Sequence, residues 1–152
     1  MKTLLITLML IIPFRLFAPP NLSILEVTIV YEYTFTPERL KTALKRFVKY
    51  PDIVFAQAQL ETGNFTSPIF LENNNLFGMK QPKIRPTNCI GVNRGHAVYS
   101  TWMDSVKDYA LWVEYYGAHG HTNIKTLLHK FNSRPEYIRR VNHIVKLNTK
   151  LK

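Results

Sequence analysis

Apolar residues along this chain follow three different spacings. Thr3 to Phe14 is almost unbroken apolar sequence, led by Met1 and Lys2 and followed by Arg15. From Val27 to Phe35 the pattern alternates, with Val27, Ile29, Tyr31, Tyr33 and Phe35 on one side and Thr28, Val30, Glu32 and Thr34 on the other. A period of two predicts a strand or an extended linker. Beyond it the spacing becomes helical. Thr36-Pro37-Glu38 predicts a helix start, with Thr as N-cap and Pro at the first helical position. Leu40, Leu44, Phe47 and Val48 supply the apolar stripe as far as about Lys49. Tyr50-Pro51-Asp52 breaks this helix and caps a second one, running from about Ile53 to Glu61, with Gly63 at the left-handed C-terminal position.

Residues 66 to 100 read as polar loop, punctuated by Pro68, Pro82 and Pro86. Within them, Asn88 to Val92 and Gly95 to Tyr99 flank Asn93-Arg94 and predict a small β-hairpin. Thr101-Trp102-Met103-Asp104 has the form of a capping box. The helix behind it carries Val106, Tyr109, Ala110 and Val113 and stops at Gly117. Ile124, Leu127, Leu128 and Phe131 predict a further amphipathic helix, and Ser133 with Pro135 opens a last one bearing Ile138, Val141, Ile144 and Val145. The expected fold class is mainly α, within α+β, with a small hairpin.

Composition narrows the function. The 152 residues suit one domain with one core. Twenty Lys and Arg against ten Asp and Glu give +10, a field that attracts polyanions such as nucleic acid, anionic lipid or a bacterial cell wall. The charge is scattered, with no run of five or six basic residues, so it does not read as a nucleic-acid arm and no nucleic-acid partner is expected. Cys89 is the sole cysteine, which excludes an intrachain disulfide and a cysteine-based metal site. The five histidines fit no helical ligand pair, and neither metal nor cofactor is expected. Residues 1–18 have the size of a signal-peptide core and are short for a membrane span of about 20 residues. They are read as an export signal or an N-terminal anchor, residues 19–35 as linker or strand, and residues 36–152 as the working domain. Ala18 offers a small residue for cleavage, but Pro19 follows it. On either reading the domain works outside the cytoplasm, with the N-terminal segment as its membrane tether if retained.

The candidate chemistry sits at Ala56 to Ser67 and Asn73 to Lys80. Glu61 ends an apolar helix, where desolvation disfavours the ionised carboxyl and raises its pKa. A carboxylic acid still protonated near neutral pH can protonate a leaving-group oxygen. Gln57 lies one turn earlier, within reach of that carboxyl. The following amide-rich loop carries Asn74, Asn75 and Phe77, and aromatic faces with amides suit a sugar ring and its N-acetyl group.

These residues resemble the glucosaminidase domain of glycoside hydrolase family 73, the bacterial and phage peptidoglycan hydrolases. The resemblance rests on the Leu60-Glu61-Thr62-Gly63 and Asn74-Asn75-Leu76-Phe77-Gly78-Met79-Lys80 pair and its lead-in, Pro51 to Gln57. Tyr99, Trp102, Ser105 and Asp108-Tyr109 are similar to a later family segment, and Arg134-Pro135-Glu136-Tyr137 to another. Coverage runs from about Thr36 to Leu147. The resemblance implies a lysozyme-like helical domain whose hairpin lobe walls a groove. It implies hydrolysis of the β-1,4 bond after N-acetylglucosamine, with peptidoglycan glycan strands as partner. Glu61 matches the catalytic acid, and Gln57, Asn74, Asn75, Phe77, Tyr99, Trp102 and Tyr137 are the expected substrate-binding residues.

Two positions depart from the family. Residues 73 to 103 contain no Asp or Glu where members often carry a second acid, and Phe131 stands where a tyrosine is common. Glu72 precedes the loop, while Asp104 and Asp108 follow and suit capping and helix structure. Three routes stay open: the substrate's N-acetyl group as internal nucleophile, water held by amides and Tyr99, or glycan binding without turnover. A muramidase or lytic transglycosylase is the neighbouring enzymatic alternative.

Overall fold

The computed structural model describes residues 34–150, so the apolar segment 1–18 and the alternating positions before Thr34 lie outside the described residues. Six helices and one hairpin follow: α1 (Pro37–Phe47), α2 (Pro51–Glu61), α3 (Pro68–Asn73), β1 (Gly91–Asn93), β2 (His96–Val98), α4 (Trp102–Ala118), α5 (Ile124–Phe131) and α6 (Pro135–Lys150). The architecture is mainly helical with a small antiparallel sheet, as the pattern predicts and in keeping with the lysozyme-like class that the resemblance implies.

Cap chemistry sets most boundaries. Thr36 Oγ1 accepts from Arg39 N at 3.2 Å and opens α1. That helix ends at Phe47, short of Lys49, because Val48 turns extended before Pro51. Pro51 itself is the first residue of α2, ahead of Ile53, since its fixed φ suits the first helical position. Thr101 and Asp104 form the capping box of α4. The loop expected from 66 to 100 contains α3 instead. Ser67 accepts from Phe70 N at 3.2 Å with Pro68 behind it, the same start signal as Thr36-Pro37. The hairpin also differs in register. Asn93 pairs with His96, which puts the turn at Arg94-Gly95. Their φ values of 52° and 73° match the twist of a two-residue hairpin turn, and the second position falls to the glycine.

Helix α2 is the central element, packed between α1 and α6. Val54, Phe55 and Ala58 face the larger apolar cluster with Leu40, Leu44, Trp102 and Val106, while Ala56 faces a second cluster with Leu128, Tyr137 and Val141. A helix apolar on opposite sides has to be buried, and this fixes the direction of its C-terminal residue, Glu61. Phe35 joins the larger cluster, its ring 4.7 Å from Phe70 and 5.7 Å edge-on to Trp102.

The hairpin lobe is fastened to the helices by polar groups. Asp108 on α4 accepts both guanidinium nitrogens of Arg85 at 2.9 Å, the Tyr99 hydroxyl at 2.8 Å and Asn88 N at 3.3 Å. The Arg85 and Asp108 side chains are 3% and 0% exposed. Burial pushes the Asp108 carboxyl up, but hydrogen bonds from Arg85, Thr87 and Tyr99, with the Arg85 charge, outweigh it and hold the group below the usual aspartate value. A carboxyl with a lowered folded pKa contributes stability above its unfolded pKa and loses it as pH falls through the folded value. Removing one partner of a buried pair strands the other charge. Asp108→Ala is therefore expected to cost about 3–5 kcal/mol in urea unfolding at neutral pH. The deficit should shrink as acid protonates the wild-type carboxyl.

Candidate active site

The site is built from the end of α2, the turn after it and the loop after α3. Glu61 is the last residue of α2 and is half-buried. Thr62 locks the exit: its hydroxyl donates to Ala58 O at 2.6 Å and accepts from Phe65 N at 2.8 Å. Gly63, Asn64 and Phe65 then run left-handed, with φ of 56°, 60° and 67°. Phe65 is held there by rings on several sides, 5.0 Å from Phe35 and 5.8 Å from Phe55.

The loop after α3 is held open by one side chain. Asn75 Nδ2 donates to Met79 O at 2.9 Å and Ala97 O at 2.8 Å, while its Oδ1 accepts from Phe77 N and Met79 N. Leu76 N donates to Ser105 Oγ on α4 at 3.0 Å. Gly78 is thereby placed with φ of 60° beside the acid, and a Cβ on it would lie 3.7 Å from Glu61 Oε2. The glycine leaves the carboxyl open on that side.

Burial raises the pKa of Glu61, while the Tyr137 hydroxyl and the Arg140 charge act against the rise without cancelling it. Behind the carboxyl lies a buried row of polar groups. The Tyr109 hydroxyl donates to Gln57 Oε1 at 2.7 Å. The Tyr137 hydroxyl faces both Gln57 and Glu61, near enough for each to influence its titration. Yet it makes no bond of full hydrogen-bond geometry. It and Gln57 Nε2 are the buried side-chain polar atoms without a partner among the described residues. Burial, then the Glu61 charge, raise the pKa of both tyrosines, which stay protonated.

A groove of about 490 Å³ opens on Glu61. Phe77, Trp112, Tyr116 and Phe131 are its aromatic lining, and Glu61 is the one acid in that lining. Of the expected site residues, Glu61 and Phe77 line the groove. Tyr137 and Gln57 stand behind the carboxyl. Asn74 donates to Tyr99 O and Ser100 O, closing the end of α3 on the hairpin. Asn75 is spent on the loop, Tyr99 on Asp108, and Trp102 on the apolar cluster around Phe35. Trp112 and Tyr116 are groove residues that the sequence reading did not single out. Their spacing of one helical turn on α4 was the available signal.

A helical core, a hairpin lobe and a single carboxyl at the groove define a lysozyme-like domain. A model of the family described as Mannosyl-glycoprotein endo-beta-N-acetylglucosaminidase matches residues 38–150, and the chain belongs to this glucosaminidase family. Protein bax of Escherichia coli (strain K12) is similar, 41% identical over 69 residues that make up 45% of this chain. Those residues span 25% of that relative's length. No solved structure matches the chain.

The Tyr137 hydroxyl lowers the Glu61 pKa, so Tyr137→Phe is expected to raise it further. The variant should fold with a stability change under about 1 kcal/mol, since the lost hydroxyl is unpartnered. Carboxyl titration followed by NMR should place its Glu61 above the wild-type value.

Proposed function

We propose that the domain is a peptidoglycan hydrolase that cleaves the β-1,4 bond after N-acetylglucosamine, with Glu61 as general acid. One observation carries this reading: a half-buried carboxyl with a raised pKa is the one acid lining an aromatic groove. Glu61, protonated, donates to the glycosidic oxygen as the bond to C1 breaks. Phe77, Trp112, Tyr116 and Phe131 offer apolar faces to the sugar rings. The wall substrate implies work outside the cytoplasm. Among the described residues no helix is long and apolar enough to cross a membrane.

The nucleophile is assigned to the substrate. The usual two-carboxylate scheme needs a second acid about 5–10 Å from the first, and the groove lining offers none. Tyr99 is 1% exposed with its hydroxyl bound to Asp108, which argues against its holding water in the groove. The 2-acetamido oxygen of the sugar on the C1 side therefore attacks C1 as the leaving oxygen takes the Glu61 proton. The Glu61 carboxylate then takes a proton from the water that opens the cyclic intermediate. The same missing acid favours a second reading, a glycan-binding module of this family that turns nothing over.

Incubation with peptidoglycan and mass spectrometry of the soluble fragments separates these. Reducing N-acetylglucosamine ends are the expected product. Reducing or anhydro N-acetylmuramic acid ends would instead indicate a muramidase or transglycosylase, and saturable binding without new ends the binding module. Glu61→Gln is expected to lower turnover by at least about 10²-fold. Wild-type activity should be highest where Glu61 is protonated and fall as pH rises through its raised pKa. The sign for stability is the same: a carboxyl with a raised folded pKa loses stability as pH rises from the unfolded value through the folded one. Glu61→Gln should therefore melt no lower than wild type at neutral pH.

A further inference from the structure

The groove that opens on Glu61 has a second property besides its aromatic lining. Lys80, Lys83 and Lys130 line it, together with Arg85. Arg85 is neutralised by Asp108. The three lysines are exposed, and among the described residues none of them forms an ion pair. Lys130 Nζ lies 4.7 Å from the centre of the Tyr116 ring, itself part of the lining, which holds that cation at the groove. Glu61 is the sole acid of the lining, one carboxyl against three unpaired lysines. Cations thus outnumber acids in the groove, although the aromatic surface for a sugar needs none of them.

Cations beside the groove on the hairpin and α4 differ from these three lysines in having acidic partners. The other exposed cations of the hairpin side and α4 are matched: Arg94 with Glu72 at 2.9 Å and Lys107 with Asp104 at 3.1 Å. Lys80 and Lys83 stand on the segment between the Asn75-braced loop and the buried Arg85. Their backbone is therefore tethered at both ends, to β2 through Asn75 and to α4 through Arg85. A neutral glycan can take only ordinary hydrogen bonds from these ammonium groups. A glycan bearing carboxylates can take charge-assisted ones, which are stronger.

We propose that the groove selects carboxylate-bearing glycan, with Lys80, Lys83 and Lys130 as the residues that determine this specificity. The inference rests on the glycan-cleaving reading above and names the substrate feature recognised at that same groove. Two sources of carboxylate exist on a wall strand: the lactyl group of N-acetylmuramic acid once its peptide is removed, and the acidic residues of an attached stem peptide. Neutral chitin oligosaccharides share the backbone linkage and carry neither.

The test uses the full-length chain in the Glu61→Gln form for binding and in the wild-type form for turnover. Three ligands of matched length are compared: peptide-bearing strands, strands stripped by an amidase, and chitin oligosaccharides. Binding to one or both charged strands is expected to be at least about tenfold tighter than to chitin at low salt. The advantage should shrink as ionic strength rises. The triple variant Lys80→Gln, Lys83→Gln, Lys130→Gln should lose that advantage, with turnover of charged strands falling through KM more than kcat. Preference for stripped strands would identify the lactyl carboxylate, and preference for peptide-bearing strands the stem. Equal affinity for chitin and charged strands would overturn the proposal, as would a triple variant that keeps wild-type selectivity. If the wild type binds charged strands selectively but releases no fragments, the hydrolytic reading fails and the selectivity stands.

Discussion

The buried carboxylate of Asp108 is the point on which the smaller lobe depends. It gathers a guanidinium from the groove segment, a phenol from the end of β2 and a backbone amide from the approach to β1, all onto α4. Three-residue strands cannot hold a lobe by themselves, since an isolated hairpin is marginal in water. An ion pair taken fully out of solvent is held only when its remaining acceptor sites are also filled. Tyr99 and Asn88 fill them. The cost of desolvating Asp108 is thus converted into a fixed position for one wall of the groove.

A second amide plays the corresponding part on the acid's side. Asn75 uses both its donors and its acceptor on the loop and on β2, so the backbone from Leu76 to Met79 cannot relax against Glu61. Gly78 then meets the carboxyl with hydrogen alone where another residue would carry a methyl group. Loop and helix come from separate parts of the chain. Their common reference is α4, through Ser105 for the loop and through the core for α2.

Much of this was legible in the order of residues. The paired start signals Thr36-Pro37 and Thr101 to Asp104 predicted α1 and α4, and the 3.6-residue spacing predicted α5 and α6, because caps and periodicity are local. Helix α3 is not legible by spacing although Ser67-Pro68 repeats the Thr36-Pro37 signal, since six residues are too few to show a period. The hairpin turn lies one residue later than the pattern predicts because left-handed geometry at Arg94 is set by strand register, not by residue preference alone. The raised pKa of Glu61 followed from its place on an apolar helix. Arg85 with Asp108 did not follow, as partners 23 positions apart are joined only by tertiary packing. For the same reason no local pattern distinguishes Asn75 and Tyr99, committed to the scaffold, from Trp112 and Tyr116, which reach the groove.

The left-handed turn after Glu61 also bears on the order of assembly. Its hydrogen bonds, such as Asn64 N to Gln59 O and Ser67 N to Thr62 O, join residues no more than five apart. Such contacts close with little loop entropy, whereas the Asp108 bonds to the groove segment wait for distant chain to meet. The carboxyl-bearing turn therefore closes at lower entropic cost than the attachment of the hairpin lobe. The same turn still needs the distant packing of Phe65 on Phe35 to finish it, so local closure and core formation meet at the residue next to the acid.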